Sequence, residues 1–167
     1  MSRNVTAIGL ISDTHGLLRK EALLALEGSE LIIHAGDVGS PEILDTLKTI
    51  APVVAVRGNV DTESWACALP ETEVVETEVA TIFVLHDVHA LDLHPAAAGF
   101  HIVVSGHSHK PDRTERNGVL YINPGSAGPR RFQLPITLAR LDLGKTPWSV
   151  DFIDLYETAK QDQQHHR

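Results

Sequence analysis

The chain has 167 residues, 43% of them apolar and 22% charged, with a formal net charge of −8. This length and composition suit one folded domain that buries roughly 70% of its unfolded surface, and they exclude a disordered chain. The acidic balance argues against stable nucleic-acid binding, and no stretch reaches the roughly 20 apolar residues of a membrane helix. Cys67 is the only cysteine, so an internal disulfide and a four-thiolate zinc site are ruled out. Its expected place is a small buried or half-buried position. Met1-Ser2-Arg3-Asn4 leads into an apolar segment with no signal-peptide pattern, so a cytoplasmic location is expected.

In chain order, short segments rich in Val and Ile at 5–11, 31–35, 53–56, 79–85 and 102–105 predict buried strands. Residues 17–26 are rich in Leu and Ala and end at Gly28, which predicts a helix with a glycine stop. Ser40-Pro41-Glu42 supplies an N-cap, a first-turn proline and an early acid ahead of Ile43, Leu44, Leu47 and Ile50, so a second helix is predicted there. Alternation of strand and helix over the first sixty residues predicts right-handed βαβ units and a parallel sheet. From Gly118 onward, strand-like pieces at 119–122, 136–141 and 148–155 lie between Pro and Gly turns, which predicts antiparallel pairing. The expected organisation is one domain over 1–160 and a polar, frayed tail over 161–167, with His165 and His166 solvated.

The chemistry lies just past the strands, at their carboxyl ends. The first leads to Asp13 and His15, the second to Asp37, the third to Asn59, the fourth to His86 and the fifth to His107 and His109. Ligands bind outside the carboxyl ends of strands in open α/β sheets, so all seven side chains can converge on one crevice. Imidazole suits Zn, Fe, Ni and Mn, carboxylate and amide oxygen suit Mn and Mg, and the absence of thiolate leaves several divalent metals open; two divalent ions are expected, manganese first, with Ni, Fe, Co, Zn or Mg as alternatives. Such a pair can generate hydroxide at neutral pH and clamp the oxygens of an in-line phosphoryl displacement. Asp37 is the candidate bridging carboxylate.

Asp13-Thr14-His15, Gly36-Asp37, Gly58-Asn59-Val60-Asp61, His86 and Gly106-His107-Ser108-His109 together resemble, in order, the motif set of the calcineurin-like metallophosphoesterases. The likeness runs from about residue 8 to 130 and is strongest to small bacterial and archaeal phosphodiesterases, which share a segment similar to Asn123-Pro124-Gly125-Ser126. It implies an α/β fold, a four-layer αββα sandwich of two mixed sheets flanked by helices. It also implies one metal held by Asp13, His15, Asp37 and His109 and another by Asp37, Asn59, His86 and His107, with Asp37, Asn59 and His107 closest to the chemistry. The implied activity is hydrolysis of a small phosphodiester by a metal-bridging hydroxide, with phosphomonoesters as the nearest alternative. A non-catalytic scaffold on the same fold, like the retromer subunit, is the rival from another class and expects eroded ligands. This sequence departs from many members of the superfamily at Val60, where a proton-donating histidine often stands. A small homo-oligomer is expected by base rate.

The remaining candidates have structural readings. His34 is expected to be buried and hydrogen-bonded near the site, and His89, His94 and His101 to be surface or packing residues. Asp61 is a candidate for orienting the Asn59 loop. Arg57, Arg130 and Arg131 could meet a phosphate. Trp65 and Trp148 are expected to pack, and Gly106 to permit the turn that separates His107 from His109.

Overall fold

The computed structural model describes residues 2–165, Asp162 by its backbone alone. Ten strands form two five-stranded sheets. The first sheet has the order β10-β9-β1-β2-β3, built from β1 (Ala7–Ile11), β2 (Leu31–His34), β3 (Val53–Ala55), β9 (Thr137–Asp142) and β10 (Ser149–Asp154). The second has the order β4-β5-β6-β8-β7, from β4 (Thr72–Glu76), β5 (Thr81–Leu85), β6 (Ile102–Val104), β7 (Asp112–Arg116) and β8 (Val119–Asn123). Among the described residues there are three α-helices, α1 (Lys20–Leu26), α2 (Pro41–Lys48) and α3 (Leu155–Gln164). The parallel β1-β2-β3 core confirms the βαβ reading of the first sixty residues.

Strand periodicity explains the layers. In β1, Ile8 and Leu10 point to the inter-sheet core, where they meet Ile82, Val84, Ile102, Val104 and Ile122. Ile11 points the other way, into a second core with Ala22, Leu26, Leu44, Leu47 and Leu155 beneath the helices. The outer face of the second sheet buries Phe83, Leu85 and Val103 under Leu91, Leu93 and Phe100, so this outer layer is a loop with one 3-10 turn at Val88–Ala90.

Several local expectations change. The first helix begins at Lys20, three residues later than predicted. Strand β8 pairs parallel with β6 and antiparallel with β7, so the second half is not wholly antiparallel. β4 and β7 are absent from the sequence reading because both are sheet edges with mostly exposed side chains, which leaves no apolar run to detect. The tail expected to fray at 161 is helical to Gln164: Asp154 caps α3 by accepting from the N–H groups of Tyr156 and Glu157, and buried Leu155 anchors its first turn. His165 is exposed, and His166 lies outside the described residues. Cys67 is exposed rather than buried, because Ala66 takes the inward position of the 3-10 turn Ser64–Ala68. Trp65 and Trp148 pack against the cores. Among the described residues no helix is long and apolar enough to cross a membrane.

Candidate metal centre

The loops after β1, β2, β5 and β6 meet at one end of the sandwich. Asp13, His15 and His109 present three ligand atoms within 4.8 Å of one another, and Asp13, Asp37 and His86 present a second such group. Asp13 Oδ1 lies 3.2 Å from His109 Nε2, 3.6 Å from His15 Nε2 and 4.0 Å from His86 Nε2. Asp37 Oδ2 lies 3.2 Å from His86 Nε2 and 3.7 Å from His15 Nε2. Asn59 and His107 sit at the more exposed rim, with His107 Nδ1 3.2 Å from Asn59 Oδ1 and its ring edge-on to His86 at 5.2 Å. Five of the seven residues named from sequence therefore converge in two groups, and the other two pair beside them.

The backbone is bent to achieve this. Asp13, His15, Asp37, His107 and His109 all have φ between 45° and 71°, and they are five of the seven described non-glycine residues in the left-handed region. Each such residue costs on the order of 1 kcal/mol or more, and such strain concentrates at functional sites. The turn between His107 and His109 is made by the histidines themselves, with Ser108 N–H donating to the Gly106 carbonyl at 2.9 Å. Gly106 matters for a different reason than predicted: a Cβ there would collide with Ser12 Oγ and Asp13 Oδ2. A Cβ at Gly58 would likewise strike the backbone nitrogen and carboxylate of Asp37.

Hydrogen bonds identify what the centre lacks within the protein. His86 Nδ1 is 2.7 Å from the Ala35 carbonyl and must donate its proton there, which leaves Nε2 to face the carboxylate of Asp37 at 3.2 Å. That pair favours a cation at Nε2, a proton in the metal-free protein or a metal ion that displaces it. Asp13 Oδ1, His86 Nε2 and His109 Nδ1 are buried without hydrogen-bond partners, although buried polar atoms are normally satisfied. The nitrogen and oxygen donors and their convergence fit divalent ions.

The titration behaviour has the same cause. Burial pushes the Asp13 carboxyl up, but the imidazoles of His109 and His15 and the Ser12 hydroxyl outweigh it and hold it far below the carboxylate range. Burial also raises Asp37, and His86 with the Val60 N–H overcomes that, so it too is lowered. His15 is raised above the ordinary imidazole value by Asp13, against burial. Burial works against a charge on His86, and Asp37, Asp13 and the Ala35 carbonyl reverse the balance, so it is raised.

His34 behaves in the opposite way. It is fully buried, accepts from Gly36 N–H at Nδ1 (3.1 Å), and is 3.0 Å from Thr14 Oγ1, which itself donates to the Val38 carbonyl at 2.8 Å. Nε2 therefore carries the proton, and a second proton would have to displace the Gly36 bond. Burial lowers its pKa from 6.5 to about 4. Between those values only the unfolded chain binds the proton, so this residue makes the metal-free protein less stable as pH falls, by about 2 kcal/mol at pH 5. Denaturant titrations of chelated wild-type and His34→Asn protein should show their stability difference shrinking by that amount between pH 7 and pH 5. A constant difference would contradict a neutral His34.

Other side chains brace the centre. Asp61, buried as a turn carboxylate, accepts from the N–H groups of Val38, Gly39 and Gly58 at 2.9–3.1 Å, which supports the role suggested from sequence. Asn123 donates to the Gly106 carbonyl and to Ser108 Oγ, and Ser126 Oγ donates to the Asp13 carbonyl. Sequence reasoning gave these two no role; the Asn123–Ser126 motif was the available signal. Asp87, also missed, lies 3.8 Å from His107 Nε2. Val60 has a 47% exposed side chain, while its N–H donates to Asp37 Oδ1 at 3.0 Å. His89, His94 and His101 are exposed, and none belongs to either donor group. Arg57 pairs with Glu71 at 3.0 Å beside a cleft of about 340 Å³ that Asn59, His86 and Asp87 also line.

Residues 7–146 match the calcineurin-like phosphoesterase superfamily domain. A probable metallophosphoesterase of Methanothermobacter thermautotrophicus is 33% identical over 148 residues, covering 81% of this chain and 86% of that protein. A phosphodiesterase of Methanocaldococcus jannaschii is 29% identical over 136 residues, covering 71% and 82% respectively. The crystal structure of a conserved Streptococcus pneumoniae protein shares the fold, with a TM-score of 0.72 over 93% of this chain and 92% of that one at 23% identity. With its two mixed sheets, helical flank and converging Asp and His side chains, the chain belongs to the calcineurin-like phosphoesterase superfamily.

Proposed function

We propose that this protein is a metal-dependent phosphodiesterase with a binuclear centre. In this reading Asp13, His15, Asp37 and His109 hold one divalent ion, Asp37, Asn59, His86 and His107 hold the other, and Asp37 is shared. The observation that carries it is the buried, unpartnered Asp13 Oδ1 and His86 Nε2 at the meeting point of two donor groups. When bound, such ions supply hydroxide at neutral pH and offset the charge of the phosphoryl group. Manganese is the first choice on ligand chemistry, with Ni, Fe, Co, Zn and Mg behind it.

Three of the chain's own groups orient the centre. Asp61, Asn123 and Ser126 fix the loops that carry Asp37, His107 and Asp13. Asn59 and His107 stand at the rim where a small phosphoester enters. Val60 offers no proton to a departing alkoxide, so the protein favours esters whose leaving group needs little protonation. Aryl diesters should exceed simple alkyl diesters in kcat by more than about tenfold; equal rates would point to a proton donor elsewhere.

The phosphodiesterase relative supports a diester over a monoester. The direct test strips the protein of metal and re-supplies Mn, Ni, Co, Zn or Mg with an aryl phosphodiester and its monoester. Metal-dependent turnover with diester preferred is the expected result. Turnover confined to the monoester would make the protein a phosphomonoesterase, and none with any ion would favour a scaffold.

A further inference from the structure

Phe132 has no part in the chemistry above. Its ring is 89% exposed, more than any other large apolar side chain among the described residues, and its φ is 55°. It occupies the second position of a turn closed by Leu134 N–H donating to the Arg131 carbonyl at 3.1 Å. A positive φ there favours glycine, so a phenylalanine carries backbone strain without burying its ring in return. The turn is braced, with Arg130 Nε donating to the Leu134 carbonyl at 3.3 Å and its guanidinium 5.5 Å from the centre of the Tyr156 ring. A strained, exposed ring on a braced backbone is better explained by a ligand than by the fold.

The turn borders the metal centre. A recess of about 540 Å³ is lined by Ser108, Lys110, Arg131, Phe132, Gln133 and Leu134, and Ser108 lies between His107 and His109. Gly128, three residues before Arg131, packs so closely on the Asp13 and Thr14 carbonyls that a Cβ there would collide with both. The lining of this recess has two cations, an aromatic ring and no carboxylate, whereas the cleft lined by Asn59 and His86 carries Glu71, Asp87 and Asp92 against Arg57 alone. An anionic ester bearing a flat ring matches the first recess: the cations meet its charge and Phe132 its ring face.

We propose that Phe132, with Arg131 and Lys110, forms a subsite for the flat aromatic group of a phosphodiester, a nucleobase or an aryl ester, whose phosphate lies at the metal centre. This rests on the phosphodiesterase reading.

Kinetics of manganese-loaded wild-type, Phe132→Ala and Phe132→Trp protein would use thymidine 5′-(p-nitrophenyl phosphate) and methyl p-nitrophenyl phosphate, which share a leaving group. Phe132→Ala should raise KM about tenfold, the scale of one lost base–aromatic stack, with most of the loss in KM rather than kcat, and Phe132→Trp should restore it. A rise confined to the thymidine ester assigns the nucleobase, and an equal rise in both assigns the aryl group. Unchanged KM for both overturns the proposal. Phe132→Gly should melt no lower than wild type while showing the same rise in KM; a lower melting temperature would assign the ring to the fold instead. A readout without turnover is the tryptophan fluorescence of Phe132→Trp, titrated with thymidine 5′-monophosphate, phenyl phosphate and ribose 5-phosphate. A response to either ring-bearing ester above that to ribose 5-phosphate supports the subsite, even if no ion gives turnover and the hydrolase reading fails. No difference among the three counts against it.

Discussion

Replacing Asp37 with Asn should lower metal-dependent diester hydrolysis by at least about 100-fold, since substitutions one shell outside a metal site already cost 10–100-fold. The side chain is almost fully buried, its Oδ2 faces His86 and His15, and its Oδ1 accepts from Val60 N–H. Asn keeps the shape and an acceptor oxygen but removes the charge that two imidazoles share, so the fold should survive while metal affinity falls. The two effects separate in a melting experiment. Saturating metal at 100 times its Kd should stabilise wild type by about 2.7 kcal/mol, and the variant should show little of this at the same concentration. The pH dependence comes from His15 and His86, whose pKa values lie above the ordinary imidazole value in the metal-free fold. Protons compete with metal at these nitrogens, so wild-type affinity should fall as pH drops through that raised range, with protons released on binding. Full activity of the Asn variant at matched metal occupancy would remove Asp37 from the shared position.

Asp61→Ala should destabilise the protein by about 3–5 kcal/mol, because the buried N–H groups of Val38 and Gly58 lose their only acceptor, and Gly39 N–H at the exposed edge loses its own. At this chain length that is a fall in melting temperature of roughly 10 °C. The effect should reach activity as well. The same carboxylate ties the Asp37 loop to the Asn59 loop, and a shift of either displaces proposed ligands from both metal positions. Urea unfolding of the metal-free protein measures the first effect, and metal titration of whatever remains folded measures the second. A cost below about 1 kcal/mol would mean that water replaces the carboxylate at all three N–H groups.

How legible each feature was in the sequence depended on how far it relies on distant residues. Strands β1, β2, β5 and β6 are nearly all buried, so their Val and Ile runs stand out. The ligand types beyond them are local too, because a loop at a strand's carboxyl end begins where the apolar run stops. Edge strands β4 and β7 show one face or none to the core, and their polar sequences match loops equally well. Cys67 and the register of β8 turn on which neighbour takes the inward position and which strand lies alongside, and neither is written in a local pattern.

The sequence by itself determined which candidate donors stand past the strands and in what order, the helix start at Pro41 and the stop at Gly28, and the absence of a proton-donating side chain at Val60. Only the tertiary structure decided that Asp13 lies within reach of three imidazoles, that Asp61 joins two loops, that Asn123 at the end of β8 and Ser126 just beyond it brace the site, and that an exposed ring stands beside it. The physical reason is that a residue's type is local, whereas the direction of its side chain depends on backbone angles that distant contacts impose. The left-handed φ values of Asp13, His15, Asp37, His107 and His109 are the clearest case: no periodicity in their segments announces them, and Asp13, His15 and His107 are fixed by N–H bonds to the Gly36 carbonyl, the Asp37 carbonyl and Asp13 Oδ2, all distant in sequence.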